Sequence, residues 1–256
     1  MRRFVSGVLV LAMVSACASS KAPPRSVRQV IERALENAPG EAQPGKIVAA
    51  EVGFAKMARE EGQWTAFRHY AAPGGLMHLR DGPVAIETAL AGQEDPEAAV
   101  QWAPRAVWMS CDASLAVSTG RFRYPNDLVG QFVTVWQRQA NDDYRWVYDG
   151  GSPDDPQPAP RPEQPLPLED EIVVAGIDSI TGIVADCPAA DAPLTASPVA
   201  DTAAGIASGA GRSRDGTLVW RWEHHGEGKY RLVASYWTYS GWQTPLDVTF
   251  PRSGGE

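Results

Sequence analysis

QFVTVWQRQANDDYRWVYDGG, residues 131–151, carries the decisive signal for the fold. From Gln131 to Gln139, Phe132, Thr134 and Trp136 alternate with Val133 and Val135, the period of two that a strand imposes. Asn141-Asp142-Asp143 is a polar turn, because short Asx side chains bond their own backbone. Tyr144 to Asp149 resumes the strand, and Gly150-Gly151 is expected to close it. The stretch reads as an aromatic-rich antiparallel hairpin. Alternation sends half of the side chains to each face without saying which half points inward.

Upstream, Leu115–Tyr124 alternates in the same way, with Val117, Thr119 and Arg121 on one face. Val100–Trp102 and Arg105–Ser110 read as extended. Leu76–Leu79 is a short strand, Asp81-Gly82 a hairpin turn, and Pro83–Ala91 a short helix. Before these strands the period is helical. Ser26 caps a first pattern through Val27, Val30, Ile31, Ala34 and Leu35, which Pro39-Gly40 stops. Pro44-Gly45 opens a helix over 46–61 with Ile47, Ala50, Phe54, Met57 and Ala58 on one stripe, and Gly62 breaks it. Gln63–Tyr70 forms another, ended by the turn residues Pro73-Gly74-Gly75. Helices followed by antiparallel strands give an α+β class.

Residues 46–153 resemble the cone-shaped fold of nuclear-transport-factor-2-like proteins, ketosteroid isomerases and polyketide cyclases of the SnoaL type. The likeness is to a bacterial branch known only as a domain of unknown function. AEVGFAKMAREEGQWTAFRHYAAPGGLM (50–77) and the hairpin at 131–151 carry it. The resemblance implies helices packed on one curved antiparallel sheet, closing a cavity that in relatives holds a small apolar ligand or a reaction, and often a sheet-to-sheet homodimer. Its wall is expected from Trp64, Phe67, Tyr70, Met77, His78, Trp102, Trp108, Phe132, Trp136, Trp146 and Asp149, each of which also suits plain core packing.

An isomerase mechanism needs a carboxylate base and donors for the enolate oxygen. Asp81 or Asp149 would be the base, Tyr70 or Tyr148 the donor, and His69 or His78 auxiliaries. The match to that catalytic set is too thin to carry any role over. Asp81 suits its turn, and His69 suits an exposed helix face. There is no phosphate loop and no nucleophile elbow. His224-His225 are adjacent, point to opposite faces of a strand and precede a turn, so exposure is expected and no metal site follows. No cofactor is called for.

After the hairpin, residues 154–170 hold six prolines and read as a semi-rigid linker. Residues 171–256 read as a small, mostly β region. Within it 172–184 suits one or two strands, Ala185–Gly211 a loop, and Thr217–His224, Tyr230–Tyr239 and Trp242–Phe250 an antiparallel meander.

The N-terminus sets the compartment. Arg2 and Arg3 precede an apolar run from Phe4 to Val14 that is too short to span a bilayer, and small residues end at Cys17. This resembles a bacterial lipobox, which implies that residues 1–17 are a signal whose Cys17 is acylated, the alternatives being an ordinary cleaved signal with an incidental cysteine or an uncleaved anchor helix; 18–45 read as a polar tether and leading helix. An acylated terminus holds a soluble domain at a membrane. Ala18 is not the aspartate that marks inner-membrane retention in enteric lipoproteins, so the cell envelope, at the outer membrane facing the periplasm, is expected. Acylation leaves two of the three cysteines, Cys111 and Cys187, as a disulfide candidate in an oxidising compartment. Net charge is −8 with no basic stripe, which argues against a nucleic-acid partner.

A tethered, non-catalytic protein that binds a small apolar ligand or a protein partner is the first expectation. A small-molecule isomerase, cyclase or dehydratase is the second, and a pure interaction scaffold the third. A carboxylate of raised pKa in an open pocket favours the enzyme, a wholly apolar pocket the binder, and a filled core the scaffold.

Overall fold

The computed structural model describes residues 41–159, 179–189, 194–199 and 206–251. Cys17, the tether, the leading helix and residues 160–178 lie outside them. The described residues form three helices, α1 (Pro44–Glu61), α2 (Gln63–Tyr70) and α3 (Ile86–Ala89). The first strands are β1 (Ala71–Leu79), β2 (Gly82–Ala85), β3 (Gln101–Met109), β4 (Leu115–Arg123), β5 (Val129–Arg138) and β6 (Tyr144–Pro153). After the proline-rich stretch come β7 (Thr181–Val184), β8 (Ala207–Arg212), β9 (Leu218–Gly226), β10 (Lys229–Thr238) and β11 (Gly241–Phe250).

The fold is α+β. Seven strands in the order β2-β1-β6-β5-β4-β3-β7 form a mixed sheet rather than the antiparallel one expected, because β1 lies parallel to β6 and β7, arriving after the proline-rich stretch, lies parallel to β3. The order β11-β10-β9-β8 forms a second, antiparallel sheet. Helix α1 lies over the large sheet through Ile47, Phe54 and Ala58, which pack with Met109, Ala116, Trp136 and Trp146. The second sheet covers the opposite face, where Leu218, Tyr230 and Leu232 meet Trp108, Val117, Val133 and Val135. Each such large apolar side chain contributes roughly 1.5–3 kcal/mol on burial.

Several elements differ from expectation for identifiable reasons. Pro73-Gly74-Gly75 lies inside β1, because the strand starts directly after α2 and absorbs these residues as an irregularity between Ala71 and Leu76. Pro83–Ala91 divides into β2 and the single turn α3. The extended segments expected at Val100–Trp102 and Arg105–Ser110 join in one strand, Gln101–Met109, whose register shifts between Pro104 and Ala106, where proline has no N–H to donate. Strand β6 runs through Gly150-Gly151 to Pro153. Part of the expected loop at 185–211 is β8, which extends the meander to four strands.

Two six-residue turns, Ser110-Cys111-Asp112-Ala113-Ser114-Leu115 and Ser213-Arg214-Asp215-Gly216-Thr217-Leu218, connect β3 to β4 and β8 to β9. They share most of their internal bonds. The serine N–H reaches the leucine carbonyl in each (both 2.9 Å), and the aspartate Oδ1 accepts the serine hydroxyl at 2.7 and 2.6 Å. Ala113 and Gly216 occupy the same position at φ 58° and 74°. The turns also grip each other. The Asp112 N–H donates to Asp215 Oδ2 at 2.9 Å, and the Asp215 N–H donates to Asp112 Oδ2 at 3.1 Å. Cys111 N–H to Thr217 Oγ1 and Arg214 N–H to Ser114 Oγ, both 3.0 Å, repeat the reciprocity. The contact is a local two-fold between the two sheets. The Cys111–Cys187 disulfide sits beside it, with Cα atoms 5.2 Å apart.

Candidate functional site

A cavity of about 300 Å³ opens between the helices and the large sheet. Its position follows from the second helix. Gly62 has φ 118°, which lets the chain turn sharply from α1 into α2. Asp95 then caps α2 from a distant loop, accepting the Thr65 N–H at 3.0 Å and the Thr65 hydroxyl at 2.6 Å. Arg68 donates to the carbonyls of Leu90 and Gln93 and holds that loop in place. Trp64 and Phe67 are thereby presented to the cavity, where Phe54 and Trp102 meet Phe67 edge to face at 4.8 and 6.0 Å.

Of the residues named from sequence, Trp64, Phe67, Met77, His78, Trp102, Phe132 and Asp149 line this cavity. Four do not. Tyr70 stacks on Phe54 at 5.0 Å and borders a separate groove with Lys46, His69 and Arg145. Trp136 and Trp146 are wholly buried beneath α1, and Trp108 faces the second sheet. A bulge explains the faces. Val135 pairs with Tyr148 but Trp136 pairs with Trp146, so the extra residue Val147 reverses the alternation within β6. Trp146 therefore shares the helix side with Trp136, Tyr148 turns to the second sheet, and Asp149 returns to the cavity.

Sequence reasoning missed Phe54, Phe122 and Tyr124 on the wall, and Glu51 behind it. Phe122 fits because neighbouring strands carry glycine: a Cβ at Gly151 would stand 3.2 Å from its ring. Glu51 lies on the buried face of α1 with no surface exposed. Its Oε1 accepts the Ser118 hydroxyl at 2.5 Å and the Trp136 indole N–H at 3.1 Å, and Oε2 accepts the Trp102 indole N–H at 3.1 Å. Burial raises its carboxyl to about 7, opposed by the Ser118 bond and helped by the charge of Asp149.

Ser118, Thr134 and Asp149 are cross-strand neighbours on β4, β5 and β6, so a polar stripe crosses the sheet beneath Glu51. Thr134 Oγ1 donates to Asp149 Oδ2 at 2.7 Å. Protein encloses Asp149, and the surface it keeps faces the cavity. Burial raises its carboxyl to about 6 against the pull of the Thr134 bond.

His78 links the cavity to the second sheet. Its Nδ1 is 2.7 Å from the Tyr148 hydroxyl, its Nε2 is 3.0 Å from His224 Nδ1, and its ring stacks on Tyr230 at 3.8 Å. Burial, with His224 second, lowers it to about 3, so it is neutral at ordinary pH. His224 is half-buried against it, which corrects the expected exposure; the sequence signal was its position opposite His225, one of the pair having to face inward. His225 is exposed beside Glu223. Asp81 and His69 are exposed and away from this cavity. Among the described residues no group of three or more metal-binding side chains occurs, and no helix is long and apolar enough to cross a membrane. The sequence matches no protein-family model and no curated protein.

Proposed function

We propose that residues 46–153 form a cone of the nuclear-transport-factor-2-like kind whose cavity binds a small, largely apolar molecule. An acylated Cys17 would hold the protein in the cell envelope, at the outer membrane facing the periplasm. The observation carrying the binding reading is the open cavity of about 300 Å³, walled by aromatic rings with the Asp149 carboxyl on its sheet side. Such a site suits a ligand with an apolar body and one polar end. It weighs against a scaffold with a filled core; the Asp149 carboxyl means that the wall is not wholly apolar, so the same cavity also meets the mark set for an enzyme. Native mass spectrometry of the protein purified from its own host tests it. A co-purifying small molecule is expected; its absence across several growth conditions would remove the reading. Labelling with a lipid precursor tests the anchor, since Cys17→Ser should take none.

A specific observation favours a second reading, proton transfer of the isomerase, cyclase or dehydratase type. Asp149, raised to about 6, is poised to exchange a proton near neutral pH, and the Tyr124 phenol borders the same cavity as a donor. Solvent deuterium exchange into a bound ligand, abolished by Asp149→Asn with binding retained, would separate chemistry from binding.

A further inference from the structure

The cavity's charge pattern is one-sided. Among the described residues, Asp149 is the carboxylate on its wall and no lysine or arginine lines it, and His78 is engaged by Tyr148 and His224. A second acid, Glu51, lies immediately behind Trp102. Among the described residues Thr134 supplies the one side-chain hydrogen bond to Asp149, through Oδ2. A ligand that fills the cavity strips the remaining water from this carboxylate. A neutral hydrocarbon would either leave the charge buried without a partner or force the carboxyl to take up a proton, and both are costly. An anion would add repulsion. A cation satisfies the carboxylate and is also attracted by the negative faces of aromatic rings.

We propose that the ligand of this cavity is an organic cation, an amine or quaternary ammonium on an apolar body, with its charge at Asp149 and its body against Trp64, Phe67, Trp102 and Phe132. The assignment rests on reading the cavity as a small-molecule site and adds the ligand's class. It applies equally whether or not a proton is then moved.

The test compares phenyltrimethylammonium with its uncharged carbon isostere tert-butylbenzene, binding to the full chain being followed by tryptophan fluorescence. The cation is expected to bind at least about tenfold more tightly. Asp149→Asn, which retains an acceptor for Thr134, should shrink that margin to within about threefold while the melting temperature shows that the fold persists. Equal or tighter binding of the isostere would overturn the cationic assignment and leave the cavity reading standing. An undiminished cation advantage in Asp149→Asn would also overturn it, placing the cation on the acidic surface. Binding of neither probe would remove the cavity reading and the inference with it.

Discussion

Asp112 and Asp215 each accept the other's backbone N–H, at 3.1 and 2.9 Å, across the junction of the two sheets. Each carboxylate also organises its own turn, so one side chain serves two sheets. Asp112→Ala or Asp215→Ala leaves the partner's N–H without its acceptor and should cost about 1–3 kcal/mol. The double variant should cost less than the sum of the two, because both changes break one network. Urea unfolding of the four proteins checks this.

Tyr230 presses on Gly150 from the second sheet: a Cβ at Gly150 would stand 2.6 Å from the phenol oxygen, and that buried oxygen has no hydrogen-bond partner among the described residues. Gly150→Ala should destabilise by about 1–3 kcal/mol through overpacking. Tyr230→Phe should be neutral or stabilising, since it removes an unbonded buried hydroxyl. Combined, Tyr230→Phe should recover part of the loss in Gly150→Ala, measured as melting temperatures.

Glu51 sets a pH dependence whose sign follows from its raised pKa. Folded, it holds a proton up to about 7, against 4.5 for the ordinary carboxyl. Its stabilising contribution is full below about 4.5 and falls as pH rises to about 7. His78, lowered from 6.5 to about 3, works oppositely: its contribution is present above 6.5 and is lost as pH falls. The two slopes oppose each other between 4.5 and 6.5, so the difference between wild type and Glu51→Gln is the informative curve. It should shift in favour of Glu51→Gln by on the order of 3 kcal/mol from pH 4.5 to 7. A flat difference would count against the buried charge.

The Cys111–Cys187 disulfide closes a separation of 76 residues. Loss of such a link costs roughly 2–4 kcal/mol through the freedom returned to the unfolded chain. Thermal melts with and without reductant should differ accordingly, and Cys111→Ser/Cys187→Ser should behave like the reduced protein.

The hairpin at 131–151 and the helices at 46–61 and 63–70 were legible because their periods are long and their ends carry clear breakers. The faces of Trp136 and Trp146 were not, because the bulge at Val147 leaves no mark in the alternation of side chains. Glu51 was passed over for the opposite reason: an acid within an apolar stripe counts against the stripe, and its justification, Ser118 with two indoles, lies on distant strands. Cys111 and Cys187 were legible only as candidates for a pair, since the count requires Cys17 to be set aside and two independent cysteines fitted the sequence as well. The matching turns at 110–115 and 213–218 share only three identical residues, Ser, Asp and Leu, a short signal that acquires meaning when the two are seen clasped. Pro73, Gly74, Gly150 and Gly151 misled because these residues break isolated strands yet are tolerated where packing holds the chain extended.

The second sheet covers, from within the same chain, the face of the large sheet opposite the helices. An intermolecular cover would dissociate on dilution by mass action. Here the cover is covalently connected, so its local concentration is set by the connecting chain and the disulfide rather than by how much protein is present. A protein arranged in this way keeps His78 clamped in its cavity wall at any abundance, down to a single copy.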